Sequence, residues 1–371
     1  MKALTPIPLT DLAAQYQSIA GEIMSAIEEV LRKGDIILGH AVTRFEEEFA
    51  AYVGSAHAVG VGSGLEALRL SLMALDIRAG DEVILPANTY IATALAVSAV
   101  GAVPILVDCH ADTYQIDVTA IEAAITERTK AIIPVHLYGH PADLESVLKL
   151  ARIHRLAVVE DAAQATGALL NGRFCGTMGQ AGCFSFYPAK NLGAYGDGGV
   201  VVTQDAGLAQ RLRELRNYGQ RTKNLHTVKG VNSRLDTVQA AILRVKLRYL
   251  DRWNEQRIAH ASRYRALLSK DSVILPDTQP GMKHVYHLFV VRTSERDRLR
   301  THLENQGIQT GIHYPIPIHL QPAYAELGLP SGTFPVAERL AQEILSLPMY
   351  PELTETQLQR VTTAVRACFE S

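Results

Sequence analysis

The first fifty residues carry apolar side chains at the spacing of a buried helix face. The residues that recur at three- and four-residue steps are Leu12, Tyr16, Ile19, Ile23, Ile27 and Val30. Asp11 stands before this pattern in the position of a helix N-cap. Gly34 and Gly39 interrupt it, and a second helical pattern follows with Phe45 and Phe49 on its inner face. This region is therefore predicted to form two helices.

From about residue 57 onward, short apolar runs alternate with helical patterns. The predicted strands cover residues 57–62, 82–86, 103–108, 130–139, 156–161, 181–187 and 198–203. The predicted helices between them cover residues 64–75, 89–101 and 143–155. Continuous Val, Ile and Leu strands that alternate with helices are typical of a mostly parallel sheet covered on both faces. The pattern predicts an α/β fold, and such a sheet binds ligands at the carboxyl ends of its strands.

The last third of the chain shows a different pattern. A long helix is predicted over residues 233–268, and its second half leads into a smaller unit. The elements predicted for that unit are a strand at 284–293 and helices at 294–307, 335–346 and 354–369. We therefore expect a large domain over residues 1–250 and a small α+β domain over residues 251–371.

Composition narrows the class of protein. Of 371 residues, 47% are hydrophobic and 20% are charged, which is ordinary for a globular protein and excludes a disordered chain or coiled coil. No uncharged apolar run reaches the roughly 18 residues that a membrane span needs, and the stretch MKALTPIPLTDLAAQY has no apolar signal-peptide core. The net charge of -2 provides no field that would attract nucleic acid. We expect neither a membrane nor a nucleic-acid partner.

The cysteines show neither CxxC pairing nor the spacing of a zinc site. They are Cys109, Cys175, Cys183 and Cys368. We interpret them as reduced residues of a cytoplasmic protein without a metal site.

Lys190 occupies a short loop between two predicted strands, in the sequence SFYPAKNLGAYGDGG. Glycines at 193, 196, 198 and 199 follow it. A lysine at a strand end beside glycines is placed to be partly desolvated, which lowers the pKa of its ammonium group and frees the amine as a nucleophile. The alternative is a solvated surface lysine, the usual state of this residue.

Asp161 ends the buried apolar strand of VVEDAAQATGA, and Gln164 follows three residues later. A carboxylate at the end of a buried strand needs hydrogen bonds or a cationic partner. A protonated pyridine nitrogen would be such a partner, since pyridoxal phosphate enzymes keep that nitrogen charged with an acidic residue. The alternative is an aspartate that caps the next helix.

The segment Gly62-Ser63-Gly64 joins a predicted strand to a helix. The free amides at a helix N-terminus, together with the positive end of the helix dipole, bind phosphate. Alternatively, Ser63 is an ordinary N-cap. The segment is neither a Walker A loop nor a GxGxxG fingerprint, so it does not favour ATP or NAD. Tyr90, after PANT, could stack on a flat ring or be a core aromatic.

Together these segments resemble the DegT/StrS-type sugar aminotransferases, a family of fold-type-I pyridoxal phosphate enzymes. The matching segments are PANTYIAT, VVEDAAQATGA, FSFYPAKNLGAYGDGG, GVNSRLDTVQAAIL and GIHYPIPIHLQPAY. The resemblance covers essentially the whole chain. It implies the α/β fold of these aminotransferases, with a large cofactor-binding domain and a smaller C-terminal α+β domain.

The same resemblance implies roles for individual residues. Lys190 would carry pyridoxal 5'-phosphate and act in catalysis, and Asp161 would pair with the pyridine nitrogen. Gln164 would contact the ring hydroxyl and Tyr90 would stack on the ring. The residues implied at the cofactor's phosphate are Gly62, Ser63, Gly64 and Ser185, with Asn232 from the neighbouring subunit.

A nucleotide-linked substrate carries a pyrophosphate, so we expect basic residues near the site. Residues 211–234 carry Arg211, Arg213, Arg216, Arg221, Lys223, Lys229 and Arg234 against one acid, Glu214. A solvated helix accounts for the first two arginines. The candidates for nucleotide contact are Tyr218, Arg221, Lys223, His226 and Lys229.

Residues near the reacting sugar are also predicted. Tyr187 ends the predicted strand that precedes Lys190, and His313 and Tyr314 lie in GIHYPIPIH. The alternative for the last two is that they are turn residues fixed by Pro315 and Pro317.

The resemblance implies a homodimeric, cytoplasmic aminotransferase that moves an amino group from L-glutamate to a nucleotide-linked keto-sugar. Relatives with histidine in place of the lysine are dehydratases, so Lys190 favours transamination. The stretch NSRLDTVQAAILRVKL resembles the branch that acts at carbon 3, which implies a dTDP-linked 3-keto-6-deoxyhexose. The alternatives are a UDP-linked 3-keto sugar acid, a carbon 4 keto-sugar, and a non-catalytic regulatory or binding protein.

Overall fold

Helices and strands alternate along residues 5–268 and 273–370, the parts of the chain that the computed structural model describes. The α-helices are α1 (Leu12–Lys33), α2 (His40–Val53), α3 (Gly64–Ala74), α4 (Ile91–Ala99), α5 (Val118–Ala124), α6 (Leu144–His154), α7 (Ala206–Leu215), α8 (Thr237–Leu247), α9 (Leu250–Leu267), α10 (Arg296–Asn305), α11 (Pro335–Glu343) and α12 (Glu355–Glu370). Short 3-10 helices cover Leu137–Gly139, Ile318–Leu320 and Pro322–Leu327.

The strands are short and most belong to one sheet. They are β1 (His57–Val61), β2 (Glu82–Pro86), β3 (Val103–Val107), β4 (Thr129–Ile132), β5 (Ala157–Asp161), β6 (Leu169–Leu170), β7 (Arg173–Phe174), β8 (Ala181–Ser185), β9 (Gly199–Thr203), β10 (Gln220–Thr222), β11 (Leu225–His226), β12 (Met282–Lys283), β13 (Phe289–Arg292) and β14 (Ile344–Leu347).

The central sheet has seven strands in the order β1-β9-β8-β5-β4-β2-β3. The pairs from β8 through β3 are parallel. β9 is antiparallel to both of its neighbours, β1 and β8. Strands such as β2 and β9 are buried along their whole length, which explains their continuous apolar sequences. The predicted mostly parallel α/β sheet is confirmed.

A smaller α+β unit follows toward the C-terminus. β13 and β14 pair antiparallel, and helices α9, α10 and α12 pack with them around a separate apolar core. Ile7 near the N-terminus belongs to this core and forms a parallel bridge with Ile308. The predicted domain boundary at residue 250 falls where α9 begins. The outermost residues of the two predicted domains, 1–4 and 371, lie outside the described residues.

The single long helix predicted over 233–268 is wrong. The structure has two helices, α8 and α9, because the chain turns at Arg248 and Tyr249. α8 packs on α1 and α2, whereas α9 packs on α12, so each helix buries a face against a different layer. No glycine or proline marks the break, and the apolar periodicity could not show it.

Three further predicted elements are shorter than expected. In the segment 284–288, Val285 N donates to Gly139 O at 3.0 Å, and only β13 forms a strand. The predicted helix at 335–346 ends at Glu343, because the following residues pair with β13 as β14. The strand predicted over 130–139 covers only β4. Among the described residues, no helix is long and apolar enough to cross a membrane.

Candidate active site

A cavity of about 500 Å³ lies at the carboxyl ends of β1, β5 and β8. This is the edge at which parallel sheets bind ligands. It collects most of the site residues expected from the sequence. Those that line it are Ser63, Gly64, Tyr90, Asp161, Gln164, Ser185, Tyr187, Lys190, His313 and Tyr314.

Lys190 lies in the tight connection between β8 and β9. Its backbone N–H donates to Tyr187 O at 2.8 Å, and Ala194 N donates to Phe186 O at 2.8 Å, which closes the loop. Burial lowers the pKa of the Lys190 ammonium to about 8, while the nearby Asp161 carboxylate acts in the opposite direction. The lysine is therefore not an ordinary solvated one, and a large share of its amine is unprotonated near pH 8.

Asp161 ends β5 and is 5% exposed. Its Oδ2 accepts a hydrogen bond from Thr93 Oγ1 at 2.8 Å, and its Oδ1 accepts one from Ala163 N at 3.1 Å. Burial raises the pKa of the carboxyl group, and these hydrogen bonds oppose the rise. Residues 162–168, which follow Asp161 directly, contain no α-helix, so the helix-cap alternative does not hold. Among the described residues, none forms an ion pair with this carboxylate.

Thr93 was not predicted from the sequence as a site residue. It lies in the first turn of α4, and its hydroxyl is 3.1 Å from that of Thr89. The two threonines lie four residues apart within PANTYIAT, with Thr89 just before the N-cap residue Tyr90 and Thr93 in the first turn of the helix. That spacing was the available signal, but the link to Asp161 spans 68 positions of sequence and no pattern reveals it.

Gln164 connects the sheet side of the cavity to the opposite wall. Its Oε1 accepts from Tyr138 N at 2.6 Å, and its Nε2 donates to the Tyr314 hydroxyl at 3.0 Å. The Tyr138 hydroxyl donates to His313 O. The Tyr90 ring lies 5.1 Å from the Tyr314 ring and is 53% exposed, so it is not a core aromatic.

The helix N-terminus of α3 forms one end of the cavity. Ser63 is its N-cap, and the hydroxyl accepts from Glu66 N at 3.2 Å. A Cβ at Gly64 would lie 2.6 Å from the Ser185 Cβ, so this close approach of α3 to β8 requires glycine. The first amides of α3 and the Ser185 hydroxyl therefore meet at one spot, which suits a phosphate.

Gly62 lies just outside this anion site. Its amide donates to Ser233 Oγ at 3.1 Å, and the residue does not line the cavity. The one backbone donor of Gly62 is therefore engaged within this chain, and its contribution to phosphate binding stays a prediction.

The basic segment lies away from the cavity of its own chain. β10 and β11 form a two-stranded hairpin there. Arg221 Nε donates to Glu214 at 2.8 Å, and the His226 ring bonds to Tyr218 O at 2.9 Å. Asn232 is exposed and pairs with Asn217 in an isolated bridge. The residues of this segment predicted for nucleotide contact do not line the cavity of their own chain: Tyr218, Arg221, Lys223, His226 and Lys229. Asn232, expected to act from the neighbouring subunit, does not line it either.

The cavity offers a specific set of groups. It holds an amine of lowered pKa, a buried carboxylate that forms no ion pair among the described residues, an exposed aromatic ring and a helix N-terminus that packs closely at Gly64. A planar group that carries an aldehyde, a basic ring nitrogen and a phosphate would use each of them. The residues present therefore fit pyridoxal phosphate.

The chain belongs to the DegT/DnrJ/EryC1/StrS aminotransferase family, whose sequence pattern it matches over residues 17–366. This is a family of sugar aminotransferases that depend on pyridoxal phosphate. The family predicted from the sequence motifs is confirmed, and so are its enzyme class and cofactor.

Several relatives match nearly the whole chain. The dTDP-3-amino-3,4,6-trideoxy-alpha-D-glucose transaminase of Streptomyces venezuelae is 52% identical over 367 residues, 98% of this chain and 97% of its own. The erythromycin biosynthesis sensory transduction protein EryC1 of Saccharopolyspora erythraea is 52% identical over 363 residues, 97% of this chain and 99% of its own. The UDP-N-acetyl-3-dehydro-alpha-D-glucosamine 3-aminotransferase of Acidithiobacillus ferrooxidans is 48% identical over 362 residues, 98% of each chain.

The fold matches that of a solved relative. The crystal structure of Streptomyces venezuelae DesV in complex with ketimine intermediate has a TM-score of 0.97 and 51% identity, and the match covers 99% of this chain and 100% of that one. The predicted aminotransferase fold, a mostly parallel sheet with flanking helices, is thereby confirmed.

Proposed function

We propose that the enzyme transfers an amino group from an amino acid, L-glutamate, to carbon 3 of a dTDP-linked 3-keto-6-deoxyhexose. The observation that carries the reaction type is the pairing, in one cavity, of the Lys190 amine with the buried Asp161 carboxylate. The choice of sugar is supported by the 52% identity to a transaminase named for a dTDP-3-amino sugar.

Lys190, Asp161 and Gln164 would hold the ring end of pyridoxal phosphate. The Asp161 carboxylate would keep the ring nitrogen protonated, and Thr93 fixes the orientation of that carboxylate. Tyr90 presents its exposed ring as a stacking surface. The Ser63 and Gly64 amides with the Ser185 hydroxyl would hold the phosphate. When bound, the cofactor supplies an electron sink for the carbon that carries the amino group.

Lys190 also moves the proton. Its Nζ takes a proton from the substrate carbon and returns one in the reverse half-reaction, as a general base and then a general acid. A lysine with the usual pKa would be almost fully protonated near neutral pH. With the pKa lowered to about 8, the amine gives up and regains its proton near working pH.

The sugar would lie against the wall opposite the sheet. Tyr187 is 57% exposed at the cavity. His313 and Tyr314 line the cavity from the segment that follows α10, and Gln164 Nε2 donates to the Tyr314 hydroxyl. Burial lowers the pKa of His313 to about 4, so its ring is neutral. Its Nδ1 is bonded to the Ser346 hydroxyl at 2.8 Å, which leaves Nε2 as the nitrogen for a sugar hydroxyl.

We further propose a homodimer in which the basic hairpin and Asn232 serve the other subunit's cavity. These residues are exposed or half-buried and do not line the cavity of their own chain. The mouth of that cavity exposes Tyr90, Tyr187 and Leu95, a surface that a second copy would cover. Arg221, Lys223 and Lys229 would then contact the pyrophosphate.

A cytoplasmic location is part of the proposal. Cys109, Cys175 and Cys183 are buried free thiols, the state expected in a reducing compartment.

A UDP-linked 3-keto sugar remains the second candidate, because a relative named for such a substrate is 48% identical. The test offers the purified holoenzyme a dTDP-linked 3-keto sugar, a UDP-linked 3-keto sugar and a dTDP-linked 4-keto sugar, each with glutamate. The proposal expects the highest kcat/KM for the first. A preference for the UDP-linked 3-keto sugar would assign the enzyme to UDP-sugars. A preference for the dTDP-linked 4-keto sugar would contradict amino transfer to carbon 3.

A further inference from the structure

Two side chains from outside the cavity, Lys246 and Asn254, form hydrogen bonds with the segment that follows Lys190. The Lys246 ammonium, on α8, donates to Gly193 O at 2.5 Å. Asn191 Nδ2 donates to Asn254 Oδ1, on α9, at 2.8 Å and to Val285 O at 3.0 Å. The loop is therefore tied to both helices on either side of the break between them.

Lys246 is an unusual choice of residue for a buried position. It is 0% exposed, and its Nζ lies 4.7 Å from the centre of the Tyr195 ring and 6.0 Å from that of Trp253. Within residues 5–268 and 273–370 it forms no ion pair. Burial lowers the pKa of this ammonium to about 8, and the carboxylate of Glu352 opposes the effect.

A purely structural role would be filled better by an apolar side chain. Burying a cation without an ion pair costs free energy that a methionine of similar length would not cost. Lys246 spends its one hydrogen bond on the backbone of the loop that carries Lys190. The free energy needed to bury the Lys246 ammonium is therefore linked to a hydrogen bond that fixes the position of that loop.

The position of Gly193, near the end of the loop, is coupled to the position of Lys190. Gly193 follows Lys190 by three residues, a distance of at most about 10 Å. A Cβ at Gly193 would lie 2.2 Å from Pro188 O, so the beginning and the end of the loop are in close contact. If the Gly193 carbonyl moves, the backbone of Lys190 moves with it.

We propose that Lys246 is a positioning residue that holds Lys190 in the cavity through the Gly193 carbonyl. This inference rests on the proposed role of Lys190 as the residue that carries the cofactor. It adds a charged residue from α8 to the requirements of catalysis, although Lys246 does not line the cavity.

The test compares Lys246→Met, which removes the donor, with Lys246→Gln, which retains a neutral N–H donor. Lys149→Met, at an exposed lysine of α6, is the matched control. In the cofactor-free proteins, pulse labelling with acetic anhydride and mass spectrometry give the apparent pKa of Lys190. Release of the loop lets water reach the amine, so Lys246→Met should raise this pKa by about one unit or more.

A second readout is the activity of the holoenzymes. We expect kcat of Lys246→Met to fall roughly 10- to 100-fold, with KM for the sugar changed less than about threefold, because Lys190 is misplaced while the sugar wall is intact. Lys246→Gln should recover part of kcat, and Lys149→Met should match the wild type in both readouts.

A folded Lys246→Met protein with an unchanged Lys190 pKa and kcat would overturn the inference. Thermal unfolding of each variant reports folding. If Lys246→Met does not fold, Tyr195→Leu provides the test, because it keeps Lys246 but removes its aromatic neighbour. A rise in the Lys190 pKa smaller than that expected for Lys246→Met supports the inference. No rise overturns it. A wild-type protein in which the cofactor attaches elsewhere than Lys190 would instead refute the proposed function.

Discussion

Asp161 combines almost complete burial with the lack of an ion-pair partner in the described part of the chain. Its two hydrogen bonds, from Thr93 and the Ala163 amide, orient the carboxylate but do not neutralise it. A cationic ring nitrogen would do so, and the pKa of the Asp161 carboxyl, which burial raises, should then fall when the cofactor binds.

At the same scale, the lowered pKa of Lys190 gives a pH-dependent prediction. Only the unprotonated amine attacks the cofactor's aldehyde. The rate at which cofactor-free protein regains pyridoxal phosphate should therefore rise with pH and level off above about 8. Stopped-flow absorbance over a pH series measures this rate. A rate that keeps rising tenfold per pH unit beyond pH 9 would mean that the amine has the pKa of an ordinary lysine.

Two elements, α3 and β8, meet at the anion site, and their contact is close enough to exclude any side chain at Gly64. The match between helix start and glycine could be predicted from the sequence because both lie within one short segment. Contacts between distant segments could not. The bonds from Thr93 to Asp161 and from Lys246 to Gly193 join residues 68 and 53 positions apart.

Replacing Gly64 with alanine tests this contact. The added Cβ should push the first turn of α3 away from β8, and we expect the affinity for pyridoxal phosphate to fall about tenfold or more, as measured by equilibrium dialysis. Gly21→Ala is the matched control, because a Cβ there meets nothing within 4 Å in the exposed face of α1. It should raise the free energy of unfolding by about 0.5–1 kcal/mol and leave cofactor affinity unchanged. Equal affinities in both variants would remove Gly64 from the site.

In the whole molecule, the cavity lies between the central sheet and the segment that carries His313 and Tyr314; His313 bonds to Ser346 of β14, and Tyr314 packs against the core of the sheet. The periodicity of the sequence predicted the layers, and the motifs identified ten of the residues that line the cavity. The periodicity could not show the turn at Arg248, after which α9 packs against a different layer from α8. Nor could the periodicity show that the basic hairpin lies outside the cavity of its own chain, since that depends on tertiary packing between distant segments.

Complementation tests the shared site. If Asn232 serves the other subunit, Lys190→Ala and Asn232→Glu each disable every site of their own homodimer. In a mixed dimer one site carries both lesions and the other carries neither. Random exchange makes about half of the dimers mixed, so up to about a quarter of wild-type activity should return. The absence of recovery, with subunit exchange verified by native mass spectrometry, would place Asn232 in its own chain's site or outside any site.

The central claim is that Lys190 carries the cofactor, and reductive trapping tests it most directly. Borohydride treatment of the holoenzyme, followed by peptide mass spectrometry, identifies the lysine bonded to pyridoxal phosphate. The chain offers a sharp competitor, because burial lowers the pKa of Lys246 to about 8 as it does that of Lys190. We expect the label on the peptide that contains Lys190 and none on the peptide that contains Lys246. A label on Lys246 or on any other lysine, with Lys190 unmodified, would contradict the assignment of the active site.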